Sequence, residues 1–290
     1  MNALLALALV AAAAGAPTRW TPERLSTDQY ESSPSFAPDG RSMVLMRANP
    51  QFSAYRLMQS DCGPTGWGEA RPLSIAAPLP ASEADPFITA DGRQLWFVSN
   101  RPFPGKQGDD LDIWVSDRSS DSRGGWGAPR RLPEPVNSAQ AELLPRRLAD
   151  GRLFFGSDRS GGLGGNDVYV ATPQADGSWR VANLGAPLNT AKNDYEVEVS
   201  RDGSQAVVVS DREGRSHLYR YARQGDGWRP LGRVPARDDV FQVGPLLSPK
   251  ADRLLFAQAD GQRSGELFLI DLETGADTSW PPPCPGSKTR

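Results

Sequence analysis

With 290 residues, 38% of them hydrophobic, the chain can bury one or two ordinary cores and reads as globular rather than disordered. Its 32 lysines and arginines are interspersed with 35 aspartates and glutamates for a net charge of −3. No basic stripe is present to neutralise a run of phosphates, which argues against nucleic acid as a partner.

Leu4 to Ala14 form an apolar run ending in small residues, the shape of a secretory h-region and cleavage site, and too short to span a bilayer. Residues 1–16 are therefore expected to be a signal peptide, cut after Ala14 or Ala16. The mature chain, without a transmembrane segment, is expected in the periplasm or outside the cell. No cysteine stands near the junction to carry a lipid.

Beyond this segment one pattern recurs. A Pro or acidic start leads into a short strand and an Asp-Gly turn. An apolar strand ending near Ser-x-Arg, a polar loop, an aromatic strand, Gly-Trp and a closing Leu follow. The copies run from Pro34 through Asp39-Gly40 to Leu73, from Pro86 through Asp91-Gly92 to Leu132, from Pro145 through Asp150-Gly151 to Leu184, and from Glu196 through Asp202-Gly203 to Leu231. A fifth, from Pro245 to Leu269, has Lys250 where the turn aspartate stood. Asp-Gly between apolar strands signals a hairpin, because glycine accepts the positive φ of a tight turn.

The turn positions are separated by 52, 59, 52 and 48 residues, which suits four short antiparallel strands and leaves no room for crossover helices. The fold class is thus all-β, a β-propeller over residues 17–280 with a tail at 281–290. Five blades fit the length; a six-bladed ring, with Trp280 and lost repeats making up the difference, is the competing count. Trp20 to Leu25 resemble Trp67 to Leu73 and are read as the strand that closes the ring, pairing edges that would otherwise be exposed.

The stretch Ser157-Asp158-Arg159-Ser160-Gly161-Gly162-Leu163-Gly164-Gly165-Asn166-Asp167-Val168-Tyr169-Val170, with the repeated Pro-x-Phe-x-x-Asp-Gly, resembles the WD-repeat-like propeller units of TolB-type periplasmic proteins. Similar units occur in envelope proteins that carry a peptidoglycan-binding OmpA-like domain. The resemblance covers nearly all of the mature chain and implies the fold; one fold carries many sites. There is no room for the TolB family's N-terminal α/β domain, and no OmpA-like domain follows, so binding of Pal or peptidoglycan is not carried over. The chain also resembles the propeller of prolyl oligopeptidases without their hydrolase domain.

His217 is the only histidine, so a His-rich metal site is excluded; it reads as a loop-edge imidazole rather than a general base. Gly-x-Ser-x-Gly and P-loop patterns are missing from their required settings. Acidic positions recur at Glu31, Glu142 and Glu196 and at Asp112 and Asp167, and arginines at Arg47, Arg101, Arg159 and Arg212. A residue present in every blade is more simply an in-blade salt bridge than an active site. Trp67, Trp126, Trp179 and Trp228 read likewise as blade packing. Asp158, Asn166 and Asp167 around the Gly-rich loop form a weak Ca²⁺ candidate without EF-hand spacing, and a plain flexible loop is preferred. No cofactor is expected.

Function is sought where blades differ. The innermost strands carry Ser35, Phe87, Arg146, Glu198 and Leu246 four positions before the turn residue, and Phe36, Ile88, Arg147, Val199 and Leu247 one position later. Arg146 or Arg147 is therefore expected at the central channel with Glu198, as a binding group or as an inter-blade salt bridge. A second patch comprises Lys192, Asn193, Asp194, Tyr195 and Glu196, on the face that also bears the loop from Pro102 to Leu111 with Lys106, Asp109 and Asp110. The leading expectation is a non-catalytic envelope module, monomeric, binding a protein or peptide on that loop-rich face. The alternative is a carbohydrate-active lyase or hydrolase using carboxylates and arginines in the funnel.

Cys62 and Cys284 are the two cysteines. Export into an oxidising compartment predicts that they pair, because a closed ring places blades one and five side by side and lets the tail reach the blade-one loop.

Overall fold

The computed structural model describes residues 15–284 apart from 23, 52, 53, 107, 120–124 and 262. The expected signal segment lies outside the described residues except for Gly15 and Ala16. Among the described residues no helix is long and apolar enough to cross a membrane.

Five antiparallel sheets form the ring, four of them of four strands and the first of five, its outer position being divided between two short strands. Blade one has Tyr30–Phe36, Ser42–Ala48 and Tyr55–Gly63, with Gly66–Trp67 and Arg71–Pro72 both pairing to the third strand. Blade two has Glu83–Ile88, Gln94–Ser99, Asp112–Asp117 and Arg130–Arg131; blade three has Glu142–Arg147, Leu153–Ser157, Asp167–Pro173 and Trp179–Asn183. Blade four has Asp194–Val199, Gln205–Ser210, His217–Gln224 and Gly227–Arg233. Blade five has Gln242–Leu247, Arg253–Asp260 and Arg263–Asp271, and its outer strand is the N-terminal Thr18–Arg19. The first strands of successive blades touch one another around a closed circle, so they line the axis. The sheets clamp apolar layers between them, as a propeller requires.

The Asp-Gly turns behave as the sequence implies. Gly40, Gly92, Gly151 and Gly203 take φ of +66°, +71°, +97° and +72°. Each preceding aspartate accepts the N–H two residues on, from Arg41, Arg93, Arg152 and Ser204 at 2.9 to 3.0 Å. In blade five Ala251 takes φ +56° at the glycine position.

Every inner strand also carries a bulge that the spacing did not reveal. In four of them the left-handed residue is Ser33, Asp85, Leu144 or Gly244. A proline follows each, and lacking an N–H it loses no ladder bond there. Blade four has Glu196-Val197 at this place, its register shifting between Asp194 and Glu196.

The ring closes with the N-terminal strand in blade five, as expected, but one step earlier in the chain. Thr18 and Arg19 pair with Leu269 and Phe268, and Trp20 already turns inward, its ring 5.7 Å from that of Phe36. The tail then crosses the same seam. Lys250 pairs with Asp277 at 2.7 Å, Arg253 donates to the Trp280 carbonyl, and Cys284 is disulfide-bonded to Cys62 with Cα atoms 5.5 Å apart.

Candidate functional site

The axis is built from the inner strands, whose channel-facing residues fall in two layers of equivalent positions. One layer is Ser33, Asp85, Leu144, Glu196 and Gly244; the other is Ser35, Phe87, Arg146, Glu198 and Leu246. Four of the six polar members take a backbone N–H from another blade. Ser35 Oγ accepts from Ile88 at 2.8 Å, Asp85 Oδ2 from Leu144 at 3.0 Å, Glu196 Oε2 from Gly244 at 2.7 Å and Glu198 Oε1 from Leu247 at 3.1 Å. Asp85 also accepts from Ser33 Oγ at 3.0 Å. Arg146, 1% exposed, is bound through Nε to Glu198 and through Nη2 to the Pro245 carbonyl at 3.2 Å, so one buried ion pair joins blades three, four and five.

Three acids thus share the channel with one base. Burial pushes the carboxyl of Glu198 up against the pull of Arg146. It pushes Asp85 up as well, against the Leu144 N–H and Arg146. For Glu196 burial, then the neighbouring Asp85, raises the pKa to about 8, so this side chain keeps its proton at neutral pH. Tyr30 beside them is held neutral by burial and by Glu196.

At the end of the channel bearing the Asp-Gly turns, the axis opens into a pocket of about 100 Å³. Phe87, Leu246 and Trp280 contribute apolar surface, Glu198 is the one carboxylate among its described lining residues, and Arg201 stands at the rim. Trp280 reaches the mouth because the tail is pinned across the seam.

Arg146 and Glu198 therefore meet at the axis. Arg147 does not join their pair: it stands in the pocket wall, its guanidinium 5.8 Å from the Trp96 ring and 5.6 Å from that of Trp179, a contact between blades two and three. The remaining candidates lie at the opposite end. Asp194, expected on a binding face, is fully buried and pairs with Arg212 at 2.6 Å. Tyr195 is half-buried and donates to Ser216 Oγ, Asn193 donates to Asp211 at 2.8 Å, and Lys192 is exposed. Lys106 Nζ binds Asp112 at 3.0 Å and Asp110 at 3.3 Å, so these side chains tie their own loop rather than face outward.

The loop-end charges form a repeated clamp. Arg47–Glu31, Arg101–Glu83, Arg159–Glu142 and Arg212–Asp194 are ion pairs. Each arginine also donates to a carbonyl of the segment leading into its blade, at Leu25, Ile75, Val136 and Leu188. The equivalence read from sequence needs two corrections. Asp194, not Glu196, is the blade-four acid: like Glu31, Glu83 and Glu142 it stands eight residues before its turn aspartate, whereas Glu196 stands six before and falls on the bulge. Arg47 aligns with Ser99, Ser157 and Ser210 rather than with the other arginines.

The loop 161–166, expected to be flexible, is packed. A Cβ on Gly164 would overlap the Lys192 carbonyl oxygen, and the Asp194 N–H donates to Asn166 O at 2.8 Å. Asp167 accepts N–H groups from Leu163, Gly164 and Asn183, and Asp158 accepts from Ala141, so donors occupy the oxygens a Ca²⁺ ion would need. His217 opens its strand at the loop edge, as expected, but its ring is buried, with Nδ1 2.6 Å from Gln242 Oε1.

No protein-family model and no curated protein sequence matches the chain. Solved structures do resemble it in fold. The TolB candidate of Agrobacterium tumefaciens aligns with TM-score 0.54 and 17% identity over 86% of this chain and 80% of its own. Zg3597, a family 117 glycoside hydrolase of Zobellia galactanivorans, aligns with TM-score 0.59 and 12% identity over 91% and 92%. The α-L-arabinofuranosidase PaAbf62A of Podospora anserina aligns with TM-score 0.54 and 13% identity over 88% and 95%. At these identities the likeness shows a shared overall fold and nothing finer.

Sequence reasoning missed the turn face. Arg201 could have been found there, since the residue before the turn aspartate is Pro38, Ala90 and Ala149 in the other Asp-Gly repeats. Trp280 had no such signal, because its place depends on how the ring closes.

Proposed function

We propose that the protein is a non-catalytic binding module of the cell envelope, docking a protein or peptide at the turn-face mouth of its channel. The supporting observation is the employment of the axial acids. Asp85, Glu196 and Glu198 each hold the backbone of a neighbouring blade. Glycoside cleavage calls for two carboxylates roughly 5 to 10 Å apart across a substrate groove. The pocket supplies one, and it is engaged by Arg146 and by the Leu247 N–H. The disulfide and the apolar N-terminal run support an envelope location.

A carbohydrate-active enzyme is the second reading, favoured by one observation: Glu196 keeps its proton at neutral pH, as a general acid must. The test places a photo-crosslinking residue at Ala90 on the turn face or at Lys192 on the loop face, in cells. The binding reading expects an adduct from Ala90 that Ala149→Trp abolishes, and none from Lys192. Adducts from Lys192 alone, or new reducing ends from an oligosaccharide panel that disappear with Glu196→Gln, overturn it.

A further inference from the structure

The turn-face pocket is blind. Its inner end is closed by the buried Arg146–Glu198 pair and by Phe87, over whose ring the Arg146 guanidinium sits at 5.2 Å. At about 100 Å³ it accommodates one medium-sized side chain, and its walls are mainly apolar. The charge around it is one-sided. Arg201 is exposed and forms no hydrogen bond or ion pair among the described residues, whereas Lys250, in the adjoining surface cleft, is spent on Asp277. The nearby carboxylates are spent as well. Glu198 serves Arg146 and Leu247, and Asp91, Asp150 and Asp202 bend back onto the N–H groups of their own turns.

Resting on the binding reading above, we infer that this pocket receives the C-terminal residue of a partner polypeptide, its apolar side chain in the pocket and its carboxylate on Arg201. A chain end carries an apolar group and an anion within a few bonds of each other, which matches an apolar blind pocket with the unpaired Arg201 on its rim and, in its wall, Arg147 held over Trp96 and Trp179. Arginine suits the task because its planar fork binds a carboxylate through two parallel hydrogen bonds. An internal segment would have to continue past the pocket in both directions and would bring no carboxylate of its own.

The test uses pooled heptapeptides with the last four positions randomised, made once with a free C-terminal carboxylate and once as the amide. Both pools are passed over the immobilised full chain and quantified by mass spectrometry. Free-acid peptides ending in Leu, Ile, Val, Met or Phe are expected to be enriched about tenfold over their amides, as one charge-assisted pair predicts. Arg201→Ala and Ala149→Trp, both at exposed positions that leave folding intact, should abolish the enrichment; Lys192→Ala on the far face should not. Equal retention of acids and amides, still blocked by Ala149→Trp, overturns the carboxylate assignment and leaves binding at the mouth standing. Retention unaffected by Ala149→Trp overturns both. No enrichment of either pool overturns the chain-end ligand, and the crosslinks from Ala90 then judge the binding reading separately.

Discussion

Two seams of one ring are held by different chemistry. Between blades three, four and five the axis is bridged by buried charge: Arg146 spans to Glu198 and Pro245, and Glu196 and Glu198 reach the amides of Gly244 and Leu247. Between blades five and one the channel positions are Gly244 and Leu246, which offer no side-chain acceptor. A Cβ on Gly244 would press against the Ser33 N–H, so the inner strands approach too closely there for a larger residue. That seam is held farther out, by the strand Thr18–Arg19, by Trp20, Phe36, Trp67 and Trp280 packed together, and by the Cys62–Cys284 bond. Where the chain itself supplies the link between blades, hydrogen bonds suffice; where the two chain ends meet, a covalent bond and aromatic bulk take over.

The comparison can be broken most sharply at the axis. Arg146→Ala leaves Glu198 buried without its partner and should cost about 4 kcal/mol in denaturant unfolding, whereas replacing both residues with leucine should be nearly neutral. A single variant as mild as the double one would show that the pair is not the bridge described. At the other seam, Cys62→Ser with Cys284→Ser should cost about 3 kcal/mol, since the bond closes a separation of 222 residues. Limited proteolysis should then cut the tail first, near Trp280, with the blades intact.

A pH series separates the seams. The folded state holds the Glu196 proton up to about pH 8 while the unfolded chain releases it near 4.5. Stability contributed by this proton is fully present below pH 4.5 and is lost as pH rises through that window. A fall of at least ~2 kcal/mol is expected between pH 5 and pH 9. Glu196→Gln should flatten the profile, and the double cysteine variant should keep its slope.

The smallest effect is a gain. Thr27, Ser138 and Thr190 each bond the clamp acid four residues on, but Leu79, 58% exposed, stands at that place before Glu83, whose Oε2 is buried without a partner. Leu79→Thr should add about 1 kcal/mol and raise Tm by roughly 3 °C.

The blade architecture was legible because Asp-Gly marks four of the five inner hairpins directly and the apolar strands recur in register. The side-chain roles were legible only in part. Counting eight residues back from the turn aspartate aligns Asp194 with Glu31, Glu83 and Glu142, so the spacing held the clamp acid although residue type drew the assignment to Glu196; alternation alone did not decide whether Arg146 or Arg147 faces the axis. The pairing of Cys62 with Cys284 followed from ring closure, a global property the repeats imply. Trp280 at the mouth did not, because its path over the turn face is set by bonds from Arg253 and Lys250 that only the folded seam brings together.

The central claim is that the channel acids hold neighbouring blades together. Its most direct test is amide hydrogen exchange at Leu144, whose N–H reaches Asp85 across the blade boundary at 3.0 Å. In Asp85→Ala that amide should exchange on the order of tenfold faster, the loss of one bond to a charged acceptor, while strand amides deeper in blade three keep their protection. Unchanged protection at Leu144 would contradict the account.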